Sequence, residues 1–192
     1  MLVTNPVTIT HQDLHILGLK AKGKIKHLYL HWTAGYYGQA YSDYHINIDK
    51  DGEIYLTCHE LYQPKLHTFM RNKDGIGIAL CCGVGATYSG NGPQGIDFGE
   101  CPPTQVQIEK AAQVIAILAD ALELPIEFSA VATHAEIAIM DGYGPFSSDE
   151  HKRWDLWFVP GTPGNADFRL GGVTLRKKAL WYKELFDRKI AA

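Results

Sequence analysis

The chain has 192 residues, 46% of them apolar and 20% charged, with a formal net charge of −3. That length suits one well-packed core and is short for two domains, and the composition excludes a disordered tail, a collagen-like fibre and a coiled coil. Apart from Arg176-Lys177-Lys178 no basic run exceeds two residues, and no apolar stretch approaches the roughly 20 residues of a membrane span, so neither nucleic acid nor a membrane is an expected partner.

Met1-Leu2-Val3-Thr4-Asn5-Pro6 has no basic segment leading into an apolar one, so the expectation is cytoplasmic synthesis without a signal peptide. Residues 1–24 are polar and read as an N-terminal lead-in to a domain over 25–192. Lys26 to His31 reads as a strand between Gly23 and Gly35. Tyr44 to Asp49 and Glu53 to Thr57, joined through Asp51-Gly52, read as a β-hairpin, because Asp-Gly between two alternating runs is a strong turn signal. Gly75 to Cys81 reads as a largely buried strand.

Residues 83–103 are rich in Gly and Pro, show no hydrophobic period and read as a long loop. Thr104 and Gln107 then form a T-x-x-Q capping box. Ile108, Ala111, Ala112, Ile115, Leu118, Ala119 and Leu122 mark one face of the helix that follows, which Pro125 stops. Ala130 to Thr133 is a short strand delivering His134. Residues 139–172 are loop-rich, and a last helix starts near Thr174. Together these elements predict a single α/β domain, a central mixed sheet flanked by two or three helices.

The four cysteines, Cys58, Cys81, Cys82 and Cys101, have no CxxC spacing and read as reduced thiols rather than zinc-knuckle ligands. Nine histidines invite a metal reading that must rest on position. His31 and His134 each end an apolar strand, and Asp155 follows in Arg153-Trp154-Asp155. Two imidazoles and one carboxylate are a usual catalytic zinc set, but from spacing alone a strand-end histidine is more often structural. Strand alternation puts His45 on the opposite face from Tyr44 and leaves it structural. Glu136 either orients an imidazole or sits at a solvated helix start. His151 is a rival ligand to Asp155, and Trp154, Trp157 and Phe158 read as core or loop anchors.

His31-Trp32-Thr33-Ala34 at a strand end, Tyr44-His45 opening the Asp-Gly hairpin, Ile76-Gly77-Ile78 before a Gly-rich turn, and Thr133-His134-Ala135-Glu136-Ile137-Ala138 after the long helix form an ordered set. From about residue 25 to about 162 this set resembles the type-2 N-acetylmuramoyl-L-alanine amidase and peptidoglycan-recognition superfamily, in particular its small phage-type zinc amidases. The resemblance implies Zn2+ held by His31, His134 and Asp155, a zinc amidase domain over 25–192, and bacterial peptidoglycan as partner. It further implies catalytic roles for Tyr44 and Arg153 and cleft-lining, substrate-binding places for His67 and Asn72. Arg153 stands where the family usually has Lys, with Lys152 next to it. A guanidinium stabilises charge but hardly gives up a proton. Ala79 stands where the recycling branch has Glu. The implied activity is cleavage of the amide between N-acetylmuramic acid and L-alanine by a phage or prophage lysin acting at the cell wall after release. Readings of another class are a peptidoglycan-binding module without turnover and a stem-peptide metallopeptidase.

Overall fold

A computed structural model describes residues 1–90, 92–148, 153–161 and 169–190. In chain order the elements are β1 (Val7–Thr8), α1 (His11–Ala21), β2 (His27–Trp32), β3 (Ile46–Ile48), β4 (Ile54–Leu56), β5 (Gly75–Leu80), β6 (Thr87–Tyr88), β7 (Ile96–Asp97), α2 (Gln105–Leu122), β8 (Val131–Thr133), α3 (His134–Asp141), β9 (Phe158–Val159), β10 (Arg169–Leu170) and α4 (Gly171–Ile190). Six strands form one mixed sheet in the order β1-β4-β3-β5-β2-β8. The β1–β4 and β4–β3 pairs are antiparallel, whereas β3–β5, β5–β2 and β2–β8 are parallel. This is the expected mixed-sheet α/β domain.

Strand alternation divides the sheet into two chemically different faces. Leu28, Leu30 and Trp32 of β2, Ile46 and Ile48 of β3, and Ile76, Ile78 and Leu80 of β5 join one core cluster with the buried face of α2. Each such aliphatic side chain contributes about 1.5–3 kcal/mol relative to exposure. The other face of the same strands carries Tyr29 and His31, Asn47, and the small residues Gly75, Gly77 and Ala79, all buried. That face has room for rings laid against it, and the candidate site is built there.

The Thr104–Gln107 capping box forms as the sequence predicts, with Thr104 Oγ1 accepting from Gln107 N and Gln107 Oε1 accepting from Thr104 N, each at 3.0 Å. The helix stops at Leu122, where Glu123 takes a left-handed conformation with φ 57°, two residues before Pro125. Helices α1 and α4 flank α2, so Val114, Ala116, Ile117 and Ala121 are buried outside the predicted face as well.

Several expectations are corrected. The lead-in carries structure: β1 is the edge strand of the main sheet, and α1 buries Leu14 and Ala21 in the core. There are four α-helices among the described residues, against the two or three or so expected. The loop at 83–103 holds a small antiparallel pair, β6 with β7. Helix α4 starts at Gly171, three residues before Thr174, and a side chain at Gly172 would collide with the carboxylate of Glu136, its Cβ 2.1 Å from Oε2.

Candidate metal centre and active-site cleft

His31 and His134 come from the C-terminal ends of neighbouring parallel strands, the edge at which open α/β sheets place ligand sites. His134 is the first residue of α3. Thr133 caps that helix, its hydroxyl accepting from Glu136 N at 3.2 Å while Glu136 Oε2 accepts from Thr133 N at 2.9 Å. Glu136 therefore serves the helix start, and it is not solvated there: Arg176 of α4 grips both its oxygens at 2.8 Å and also donates to Val131 O at 2.9 Å. The clamp ties α4, α3 and β8 together directly beneath His134.

Asp155 arrives on a turn that is fixed from three sides. Trp157 N donates to Trp154 O at 3.0 Å, Leu156 is left-handed with φ 55°, and Gly171 N donates to Trp157 O at 2.9 Å. The Asp155 carbonyl accepts from Ala135 N at 3.3 Å, binding the turn to the first turn of α3.

The three side chains meet. His31 Nδ1 lies 3.2 Å from His134 Nδ1 and 3.1 Å from Asp155 Oδ2, and His134 Nδ1 lies 3.1 Å from Asp155 Oδ1. All three residues are buried, and among the described residues this is the His, Cys, Asp or Glu cluster able to hold a metal ion. Nδ1 of each imidazole faces a different oxygen of the Asp155 carboxylate, and the two Nδ1 atoms also face each other, so the donor atoms converge on one point. A tetrahedral zinc with bonds of about 2.0–2.1 Å has ligand-to-ligand edges of about 3.3 Å, close to the separations seen. The donor set therefore fits such an ion. Burial, with His134 adding and Asp155 opposing, pushes the His31 imidazole down to about 4. Burial alone would raise the Asp155 carboxyl, but His134 and then His31 outweigh it and hold the group below the ordinary carboxylate range. Neutral imidazole and ionised carboxylate are the forms that bind metal.

The other sequence-predicted residues gather round this centre. The Tyr44 ring lies 5.1 Å from that of His31, and its hydroxyl donates to Trp32 O at 3.2 Å. Burial, then the charges of Asp155 and Asp43, raise the Tyr44 phenol above its usual value, so it stays protonated. Arg153 is tied by its backbone N to Tyr143 O at 3.0 Å and lines the cleft. Ala79 sits beside His31 in the β2–β5 register, so no carboxylate stands there. His151 and Lys152 lie outside the described residues.

His67 is buried, with Nδ1 at 3.0 Å from Thr68 Oγ1 and Nε2 at 3.3 Å from Gly75 O. Burial, with His31 and His45 adding, holds it far below an ordinary imidazole. Asn72 Oδ1 accepts from His67 N at 3.1 Å and Thr68 N at 2.9 Å, pinning this turn. His45 is structural as expected, donating from Nε2 to Gln63 O at 2.7 Å and accepting at Nδ1 from Gly77 N at 3.0 Å. Trp157 and Phe158 are buried anchors, and Trp154 packs edge-on to Trp32 at 4.8 Å.

Two adjoining lobes, each about 450 Å³, flank His31, His134 and Asp155 and share Leu66, His67, His134 and Arg153. One is walled by Trp32, Tyr41, Tyr44 and Trp154, the other by Phe69, Met70, Asn72 and Tyr143. His134 Nε2 and the Tyr143 hydroxyl are buried without a hydrogen-bond partner, polar capacity that a bound molecule or water can satisfy. Sequence reading missed Tyr143 and Thr68. Neither belongs to a motif, and the pairing of Thr68 with His67 was the one local signal.

A His-His-carboxylate triad at the mouth of a two-lobed cleft is a donor set that could hold a metal ion. The chain belongs to the N-acetylmuramoyl-L-alanine amidase family, whose model matches residues 21–151. The match includes His31 and His134 and ends before Asp155. Three solved structures are similar at 18% identity each. The endolysin N-acetylmuramoyl-L-alanine amidase LysCS from Clostridium intestinale URNW gives a TM-score of 0.43 over 59% of this chain and 71% of its own. The Ph2119 endolysin from the Thermus scotoductus MAT2119 bacteriophage Ph2119 gives 0.41 over 58% and 72%. The peptidoglycan-recognition protein PGRP-Hd from Alvinella pompejana gives 0.39 over 69% and 79%. No curated protein matches the sequence. The protein is thus an N-acetylmuramoyl-L-alanine amidase, acting on peptidoglycan.

Proposed function

We propose that the amidase is zinc-dependent and works as a phage-type lysin, with His31, His134 and Asp155 as metal ligands. The observation that carries this is the mutual approach of the three donor side chains, at 3.1–3.2 Å between their N and O atoms, in a buried pocket open to a cleft. A bound zinc would supply Lewis acidity, acidifying water and polarising the scissile carbonyl. Tyr44, held protonated beside His31, would turn its single hydroxyl proton from Trp32 O to the oxygen that gains charge during attack. Arg153, shared by both lobes, stabilises the same charge without exchanging a proton. The lobe past Tyr44 and the lobe past Tyr143 take the two sides of the amide, with His67 and Asn72 shaping the second. The intact donor set favours turnover over a binding module. The lysin reading puts the site of action at the cell wall after release, and rests on the small phage-type pattern of Tyr44 present and a strand Glu replaced by Ala79.

Mass spectrometry of digested muropeptides tests the reaction. The expected products are lactyl-bearing glycan and free stem peptide beginning with L-alanine. Cuts within the stem peptide would replace this reading with a metallopeptidase.

A further inference from the structure

Thr68 lies on no motif, yet its side chain is buried between two histidines. Its Oγ1 is 3.0 Å from His67 Nδ1 and 3.3 Å from His31 Nε2. The far end of this chain is a backbone carbonyl, Gly75 O, 3.3 Å from His67 Nε2. That end fixes every proton along the chain. A carbonyl only accepts, so His67 carries its ring proton on Nε2 and presents a lone pair at Nδ1. The Thr68 hydroxyl therefore donates to His67 Nδ1. Its oxygen is then free to accept, and His31 Nε2–H donates to it. His31 is left with its lone pair on Nδ1, the atom facing His134 and Asp155.

The surroundings hold this chain rigid. Asn72 Oδ1 takes the backbone N–H groups of both His67 and Thr68. The ring of His67 lies against Gly77, which has no side chain to push it off. Both ring nitrogens of His67 are engaged, so its polar atoms act on the centre through Thr68 while the ring itself lines both lobes. Outer partners of this kind fix the tautomer and orientation of metal-ligating histidines.

We propose that Thr68 is a positioning residue, with His67 and Gly75 O behind it, that commits His31 to the tautomer presenting Nδ1 to a metal. This rests on the zinc reading above. The test uses the full chain stripped of metal and then titrated with zinc against a chromophoric chelator. Thr68→Val keeps the shape and removes the hydroxyl, and it should bind zinc about 10–100-fold more weakly, whereas Thr68→Ser should stay within about threefold of wild type. In the zinc-loaded protein, nitrogen-15 correlation spectra should show the His31 Nε2 proton shifted downfield by hydrogen bonding in wild type and Thr68→Ser but not in Thr68→Val. Thr68→Val with wild-type affinity and an unmoved His31 proton overturns the inference while leaving the zinc reading intact. A wild-type chain that takes no zinc overturns both. Should Thr68→Val fail to fold, the wild-type spectrum decides by itself: a proton on His67 Nε2 supports the chain, and one on Nδ1 overturns it.

Discussion

Gly77 has no side chain where the His67 ring lies: a Cβ there would stand 2.6 Å from His67 Cγ. The glycine of the Ile-Gly-Ile strand is thus a packing requirement of the site, since a contact that short forces the ring or the strand to move.

Gly77→Ala should lower stability by about 1–3 kcal/mol, the usual cost of overpacking, and weaken zinc retention by displacing His67. Urea unfolding and zinc titration check the two effects. Wild-type values in both would mean that the His67 ring has room elsewhere.

Tyr44→Phe removes the hydroxyl and keeps the ring beside His31. Zinc should stay bound while turnover falls about 10²-fold, the low end for a lost catalytic donor. Steady-state kinetics with metal analysis on the same sample would show it, and unchanged turnover would reduce Tyr44 to packing.

Arg153 is expected to act by charge alone. Arg153→Lys should keep substantial activity, whereas Arg153→Ala should lose about 10²-fold in kcat with zinc retained. Lys152→Ala should be nearly silent. A damaging Lys152→Ala with a silent Arg153→Ala would move the catalytic cation by one residue.

Burial pushes the His45 imidazole down from 6.5 to about 4, with the Gln63 carbonyl opposing and Lys65 adding. A histidine lowered on folding binds fewer protons folded than unfolded. Its contribution is full above the unfolded value and is lost as pH falls from 6.5 towards 4. The loss is on the order of 3 kcal/mol. Urea unfolding of wild type and His45→Gln across this range isolates it. Wild type should weaken more steeply with acid than the variant, and parallel curves would remove His45 from the account.

Much of this architecture is legible in the sequence because its signals are local. The Asp-Gly turn, the Thr104–Gln107 box and the 3.6-residue period of α2 each follow from a few adjacent residues. Helix α1 escaped because its apolar residues do not mark one face: Leu14 is fully buried, but Ile16 and Leu19 are 45% and 50% exposed. Its cap, Thr10 with Asp13, is also a less usual box than one closed by Glu or Gln. At the site, family-pattern residues stood out, whereas Thr68, Tyr143 and the Glu136–Arg176 clamp depend on partners 37 or more residues away in sequence or on burial, which no local pattern records.

The most direct measurement is zinc content per chain by elemental mass spectrometry, on wild type and on His31→Ala, His134→Ala and Asp155→Ala, each checked for folding. Wild type should carry one zinc, and each variant should lose most of it together with amidase activity. A folded His134→Ala or Asp155→Ala protein that keeps full zinc occupancy would contradict the assignment of this triad as the metal centre.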